Sequence, residues 1–202
     1  MTEWRDRSVV LAGGDSTRFG ERDKALARVD GTPMVRRVYD ALTDAIGTPP
    51  AVAAGPTPPA AYRRVLPADA QFVPDADGYA GPLAGLAGAV RSLDADWLFA
   101  AATDLPRLDA ATVTWLADER TADCDAVVPV AADGVPQPLC AWYRRTTVAD
   151  ALAEVAGAAG PRALLDRLDV RRVTSADTPA TISLDAALTN VNTRDEFGAL
   201  DR

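Results

Sequence analysis

Short, unbroken apolar runs recur along the chain, with stretches of helical spacing between them. The first is Ser8-Val9-Val10-Leu11-Ala12, which breaks into Gly13-Gly14; others occupy residues 51–54, 71–73, 97–101, 126–130 and 139–143. Continuous runs of this length, closed by turn residues, predict strands buried on both faces. Residues 33–46 place Met34, Val35, Val38, Ala41, Leu42 and Ala45 at helical spacing, with Pro33 in the first turn and Gly47 beyond the end. Residues 83–93, 110–120, 147–155 and 162–168 also read as helices. Strands alternating with helices predict an α/β layered fold with a mainly parallel central sheet. Ligands of such sheets collect beyond the carboxyl ends of the strands. The Pro- and Ala-rich stretch 48–61 is too short for an interdomain linker, so residues 1–202 are expected to form one domain.

Composition narrows the chemistry. Histidine is absent, which removes imidazole acid–base catalysis and histidine metal sites. Cys124 and Cys140 lack a CxxC partner and are expected to be half-buried structural thiols. The net charge of −8 argues against a nucleic-acid partner. No apolar run is long enough to span a bilayer, and the mixed-charge start is not a signal peptide, so a cytoplasmic protein with no membrane partner is expected. Of the 21 basic residues only Lys24 is a lysine.

That lysine lies in the segment following the first apolar run, Leu11-Ala12-Gly13-Gly14-Asp15-Ser16-Thr17-Arg18-Phe19-Gly20-Glu21-Arg22-Asp23-Lys24. It is neither a Walker A loop nor a GxGxxG fingerprint. It does combine glycines that let backbone approach a ligand closely with Arg18 and Lys24, a forked and a compact cation suited to phosphate oxygens. A glycine-rich turn with solvated charges is the other reading.

The segment, with Asp30-Gly31-Thr32-Pro33-Met34 after it, resembles the signature of the MobA-like nucleotidyltransferases. Gly81-Pro82-Leu83-Ala84-Gly85, Ala102-Thr103-Asp104-Leu105-Pro106, Gln137-Pro138-Leu139, Arg162-Ala163-Leu164-Leu165 and Asn190-Val191-Asn192-Thr193 extend the resemblance in order along nearly the whole chain. The resemblance implies a three-layer, Rossmann-like nucleotidyltransferase fold. It also implies transfer of GMP from GTP to the phosphate of molybdopterin, with Mg²⁺ as cofactor and molybdoenzymes as eventual targets. On that basis Leu11, Ala12, Gly13 and Gly14 would contact the nucleotide through backbone groups, and Gly81 would lie beside it. Lys24 would bind the triphosphate, with Arg18 as a second cation. Asp75, or Asp77 in an alternative register, would be an acidic nucleotide-binding position. Asp104 would bind nucleotide and coordinate Mg²⁺, while Asn190 and Asn192 would lie on the molybdopterin side.

The residues themselves leave alternatives open. Asp104, just past the run 97–101, is placed for Mg²⁺, which takes one or two carboxylates plus phosphate oxygens, but an Asp before Leu-Pro also suits a turn or helix cap. Asn190 and Asn192 precede a capping-box spacing, Thr193 to Glu196, and otherwise read as a polar loop. Members of the family often carry an Asn after the second strand, where this chain has Val52-Ala53-Ala54-Gly55. This departure leaves CTP beside GTP, with cytidylyl-molybdopterin chemistry or a cobinamide phosphate acceptor as related readings. A non-catalytic nucleotide-binding adaptor is the alternative from a different class.

Overall fold

The computed structural model describes residues 4–13, 23–155 and 160–191. Its centre is a seven-stranded sheet, in chain order β1 (Asp6–Leu11), β4 (Ala51–Ala53), β5 (Phe72–Val73), β6 (Trp97–Ala102), β7 (Ala126–Pro129), β8 (Cys140–Arg144) and β9 (Val170–Val173). The spatial order is β5-β4-β1-β6-β8-β7-β9. All neighbours are parallel except β8, which runs antiparallel between β6 and β7. A separate hairpin pairs β2 (Arg28–Val29) with β3 (Thr32–Pro33) through Asp30 and Gly31, both at positive φ. That is the type I′ geometry for which Asp-Gly is suited.

The strands read as unbroken apolar runs because both faces are covered. Val10 and Phe99 face a core shared with α1 (Met34–Ile46) and α4 (Ala110–Asp118). Val9, Leu11 and Leu98 face the opposite core, built with α3 (Pro82–Ser92), α5 (Arg145–Glu154) and α6 (Pro161–Leu165). The helices expected from spacing therefore form, within a few residues of their expected ends. Two short helices, α2 (Pro59–Tyr62) and α7 (Leu184–Ala187), were not apparent from spacing. Gly47 closes α1 in the left-handed conformation, its N–H donating to the Thr43 carbonyl. Among the described residues no helix is long and apolar enough to cross a membrane.

The thiols correct the half-buried expectation, since Cys124 and Cys140 are both buried. Burial pushes the Cys140 thiol up to about 12. The chain moves outward from β1 through β4 to β5, then crosses back through α3 to β6 on the other side of β1. The strand order thus reverses between β1 and β6, and the crevice at their carboxyl ends is where such sheets bind ligands.

Candidate active site

Leu11 ends β1 in register with Ala53 of β4 on one side and Ala102 of β6 on the other. Beyond it, the N–H groups of Ala12 and Gly13 converge on the Ala53 carbonyl at 2.9 and 3.2 Å. Gly13 lies against Gly55, so closely that a Cβ on Gly13 would come within 2.3 Å of the Gly55 Cα. Gly55 adopts φ +60°, and its N–H donates to the Asp75 carboxylate. The stretch Val52-Ala53-Ala54-Gly55 carries no Asn here, so at Gly55 the chain presents main chain alone.

Asp75 follows β5 and is held by α3 behind it. Ala76 N–H donates to the Ala84 carbonyl at 2.9 Å, and Gly88 packs against the Pro74 carbonyl. Asp75 is exposed, yet desolvation by its neighbours raises its pKa against the lowering effect of the Gly55 N–H. Gly81 caps α3 at φ +57°, a conformation that favours glycine. Asp77 is also exposed, one turn residue before Gly78.

Lys24 lies beside Asp104 at the end of β6. The Asp23 carboxylate accepts from the Ala25 N–H at 2.9 Å and caps a short 3-10 turn, Lys24–Leu26. The turn aims Lys24 at the end of β6, where Nζ lies 3.4 Å from Asp104 Oδ2. Both side chains are only partly exposed, 17% for Lys24 and 30% for Asp104. The lone lysine and the carboxylate separated from it by 80 positions are therefore neighbours at the switch point. Arg37 on α1 braces the arrangement. Its guanidinium donates to the Pro106 carbonyl beyond Asp104 and to the Val29 carbonyl beyond the 3-10 turn.

Asp104 also lines a cavity of about 410 Å³ with Gln137, Pro138, Leu139, Arg162 and Asn190 among its walls. The 137–139 segment is fixed by the Tyr143 hydroxyl on the Pro138 carbonyl at 2.7 Å and by Ala102 N–H on the Leu139 carbonyl at 2.8 Å. Val191 N–H donates to the Asp104 carbonyl at 3.0 Å, which brings Asn190 to this side. The structure thus joins Leu11, Ala12 and Gly13 through Gly55 to Asp75, and Lys24 to Asp104 and the cavity. Gly14, Arg18 and Asn192 lie outside the described residues. Arg37, Gly55 and Gln137 with Arg162 on the cavity wall were given no role from the sequence; Gln137 and Arg162 did lie in recognised motifs.

Among the described residues no group of three or more carboxylate, thiol or imidazole ligands could cage a metal. Asp104 still fits Mg²⁺, because this ion is commonly held by one or two carboxylates and completes its shell with water and substrate phosphates.

Residues 8–173 match the family described as the MobA-like NTP transferase domain. The chain belongs to that family. It is therefore a nucleotidyltransferase with the fold of the MobA-like enzymes. A Bacillus cereus (strain G9842) relative named "Probable molybdenum cofactor guanylyltransferase" is 30% identical over 200 residues, covering 98% of this chain and 95% of its own. A Trichormus variabilis relative of the same name is 36% identical over 142 residues, covering 68% of this chain and 65% of its own. The fold is shared with the molybdopterin-guanine dinucleotide biosynthesis protein A of Archaeoglobus fulgidus, at a TM-score of 0.76 and 22% identity over 96% of both chains. A Mycobacterium tuberculosis protein crystallised in complex with manganese is 25% identical, with a TM-score of 0.70 over 98% of both chains.

Proposed function

We propose that the chain transfers GMP from GTP to the terminal phosphate of molybdopterin, forming molybdopterin guanine dinucleotide and pyrophosphate. The observation that carries this reading is the meeting of Lys24 and Asp104 at the switch point, with the Asp75 segment on one side in the strand order and the cavity walled by Gln137, Arg162 and Asn190 on the other. A two-substrate transfer needs such a junction, with one substrate on either side of the reacting phosphorus. The names of the relatives, probable molybdenum cofactor guanylyltransferases, favour the molybdenum cofactor as acceptor.

In this reading the triphosphate runs from Gly13 and Gly14 to Lys24, with Arg18 as a second cation. The base occupies the Asp75 side, near Gly81. Guanine offers a carboxylate two neighbouring donors, its ring N–H and its amino group, whereas cytosine offers only an amino group; this favours GTP where Gly55 has no side chain to contribute. Asp104 would hold Mg²⁺, which when bound supplies neutralising charge to the phosphate oxygens. Asn190 and Asn192 would bind the acceptor, and Arg162, on the cavity wall with Asn190, would meet its phosphate.

The acceptor is a phosphate monoester with a second pKa of about 6, so most of it is dianionic near neutrality and needs no general base. Its oxygen forms a bond to the α-phosphorus as the bond to the β-phosphate oxygen breaks, and pyrophosphate leaves with that electron pair. Lys24 stabilises the charge that gathers on the leaving group. Catalysis is then positioning and charge compensation, chemistry open to a chain without histidine.

The test is product analysis after incubation with molybdopterin, Mg²⁺ and GTP or CTP. The guanine dinucleotide with matching pyrophosphate is expected from GTP. A product from CTP alone, or from neither, contradicts the proposal.

A further inference from the structure

Tyr62 has no role in the reaction outlined above, yet its hydroxyl occupies a particular place. The side chain is wholly buried at the end of α2, its ring stacked on Phe72 with centroids 6.5 Å apart. The hydroxyl lies 3.2 Å from the Ala12 carbonyl and 2.5 Å from Asp23 Oδ2. These acceptors flank the glycine-rich segment, one at the end of β1 and the other immediately before Lys24. A single phenolic proton serves both, held more strongly by the nearer, charged carboxylate. Burial, and then Asp23, push the phenol well above the ordinary tyrosine range, so it remains a donor.

The remaining contacts carry this constraint to Lys24. The second Asp23 oxygen accepts the Ala25 N–H, so one carboxylate is fixed to Tyr62 on one side and to the turn containing Lys24 on the other. We propose that Tyr62 is a positioning residue for phosphate capture, its hydroxyl pinning the end of β1 to Asp23 and so holding Lys24 at the Asp104 end of β6. A purely structural tyrosine would fill the core next to Phe72 equally well without its hydroxyl. Here the hydroxyl ties Ala12 to Asp23 before the ligand arrives, so less freedom is lost on binding.

The proposal rests on the phosphate role given to Lys24, and its test separates the two. Wild-type protein is first titrated with Mg²⁺ complexes of GTP, CTP, ATP and UTP, and the tightest binder is used afterwards. An error in the base assignment then appears in the wild type alone. Dissociation constants are measured for Tyr62→Phe, Lys24→Ala and the double variant, with circular dichroism to confirm folding. Tyr62→Phe should weaken binding about tenfold in the wild-type background, as expected for loss of a hydrogen bond to a charged group. In the Lys24→Ala background it should change binding less than about twofold, because residues acting as a unit are not additive. Unchanged binding by Tyr62→Phe, or an equal loss with and without Lys24, overturns the proposal. Unchanged binding by Lys24→Ala instead overturns the phosphate role itself. If Tyr62→Phe does not fold, Asp23→Asn replaces it in the same cycle and is held to the same non-additivity.

Discussion

Replacing Gly88 by alanine probes how tightly α3 holds the Asp75 side of the site. In an exposed helix this change normally stabilises, because alanine is favoured by about 1 kcal/mol. Here the new Cβ would lie 1.9 Å from the Pro74 carbonyl oxygen and 3.0 Å from its carbon. An unstrained carbon–oxygen contact is about 3.3 Å, so backbone must retreat by about 1.4 Å. Overpacking against main chain belongs at the upper end of the usual range, about 3 kcal/mol, which leaves a net loss of about 2 kcal/mol after helix propensity is counted. For a chain of this size that lowers Tm by about 4–8 °C. The displacement also reaches Asp75, next to Pro74, and threatens its bond from the Gly55 N–H. Nucleotide binding should therefore weaken together with stability. Gly47→Ala is the control. Its φ of +74° makes alanine strained, but nothing lies within 4 Å of the new methyl group, so it should lower Tm and leave nucleotide affinity alone. Thermal melts and Mg²⁺–GTP titrations of both variants decide the matter. A Gly88→Ala protein that melts at or above the wild type, with unchanged affinity, refutes the packing argument.

Three further outcomes are expected. Asp104→Asn should leave the fold intact, lower turnover by about a hundredfold or more, and shift the Mg²⁺ concentration needed for half-maximal rate upward; an unchanged Mg²⁺ profile removes Asp104 from the metal. Asp75→Asn should be more stable than wild type at neutral pH. The wild-type carboxyl has a raised pKa, so it is penalised when ionised, and that penalty fades as pH falls through the raised value towards the ordinary 3.8. Parallel urea titrations across pH should show the two proteins converge at low pH, and a gap that widens on acidification would contradict the sign. Arg120→Ala should cost about 3 kcal/mol in urea unfolding, because Arg120 pairs with Asp6 at 2.7 Å and lies over the rings of Trp97 and Trp142 at 5.4 and 4.6 Å. Asp6 and Trp97 begin their strands, at the end of the sheet opposite the site, so nucleotide affinity should not change.

The parts of the fold legible in the sequence are those with a local signature. The both-face burial of β1, β4 and β6 shows as unbroken apolar runs, and Gly47 marks the end of α1. The direction of β8 does not show, since a central strand covered on both faces reads alike whether parallel or antiparallel. Val170-Arg171-Arg172-Val173 does not read as a strand because β9 is an edge strand whose two exposed arginines interrupt the apolar run. At the site, Lys24 and Asp104 could be named from their motifs, but their 3.4 Å separation depends on the strand order around β1. Tyr62 lies 39 positions from Asp23, just after the Pro- and Ala-rich stretch 48–61, where a lone aromatic residue reads as core. The contacts of Gly13 with Gly55 and of Gly88 with Pro74 join backbones distant in sequence, so nothing local announces them.

The most direct measurement is a crystal structure with Mg²⁺ and a GTP analogue that cannot be cleaved between its α- and β-phosphates. The account predicts the triphosphate in the crevice between the ends of β1 and β6, with Lys24 on its terminal phosphates, the metal on Asp104 and the guanine towards Asp75. A triphosphate bound elsewhere, or one in this crevice that leaves Lys24 and Asp104 still paired with each other and touching neither phosphate nor metal, contradicts it.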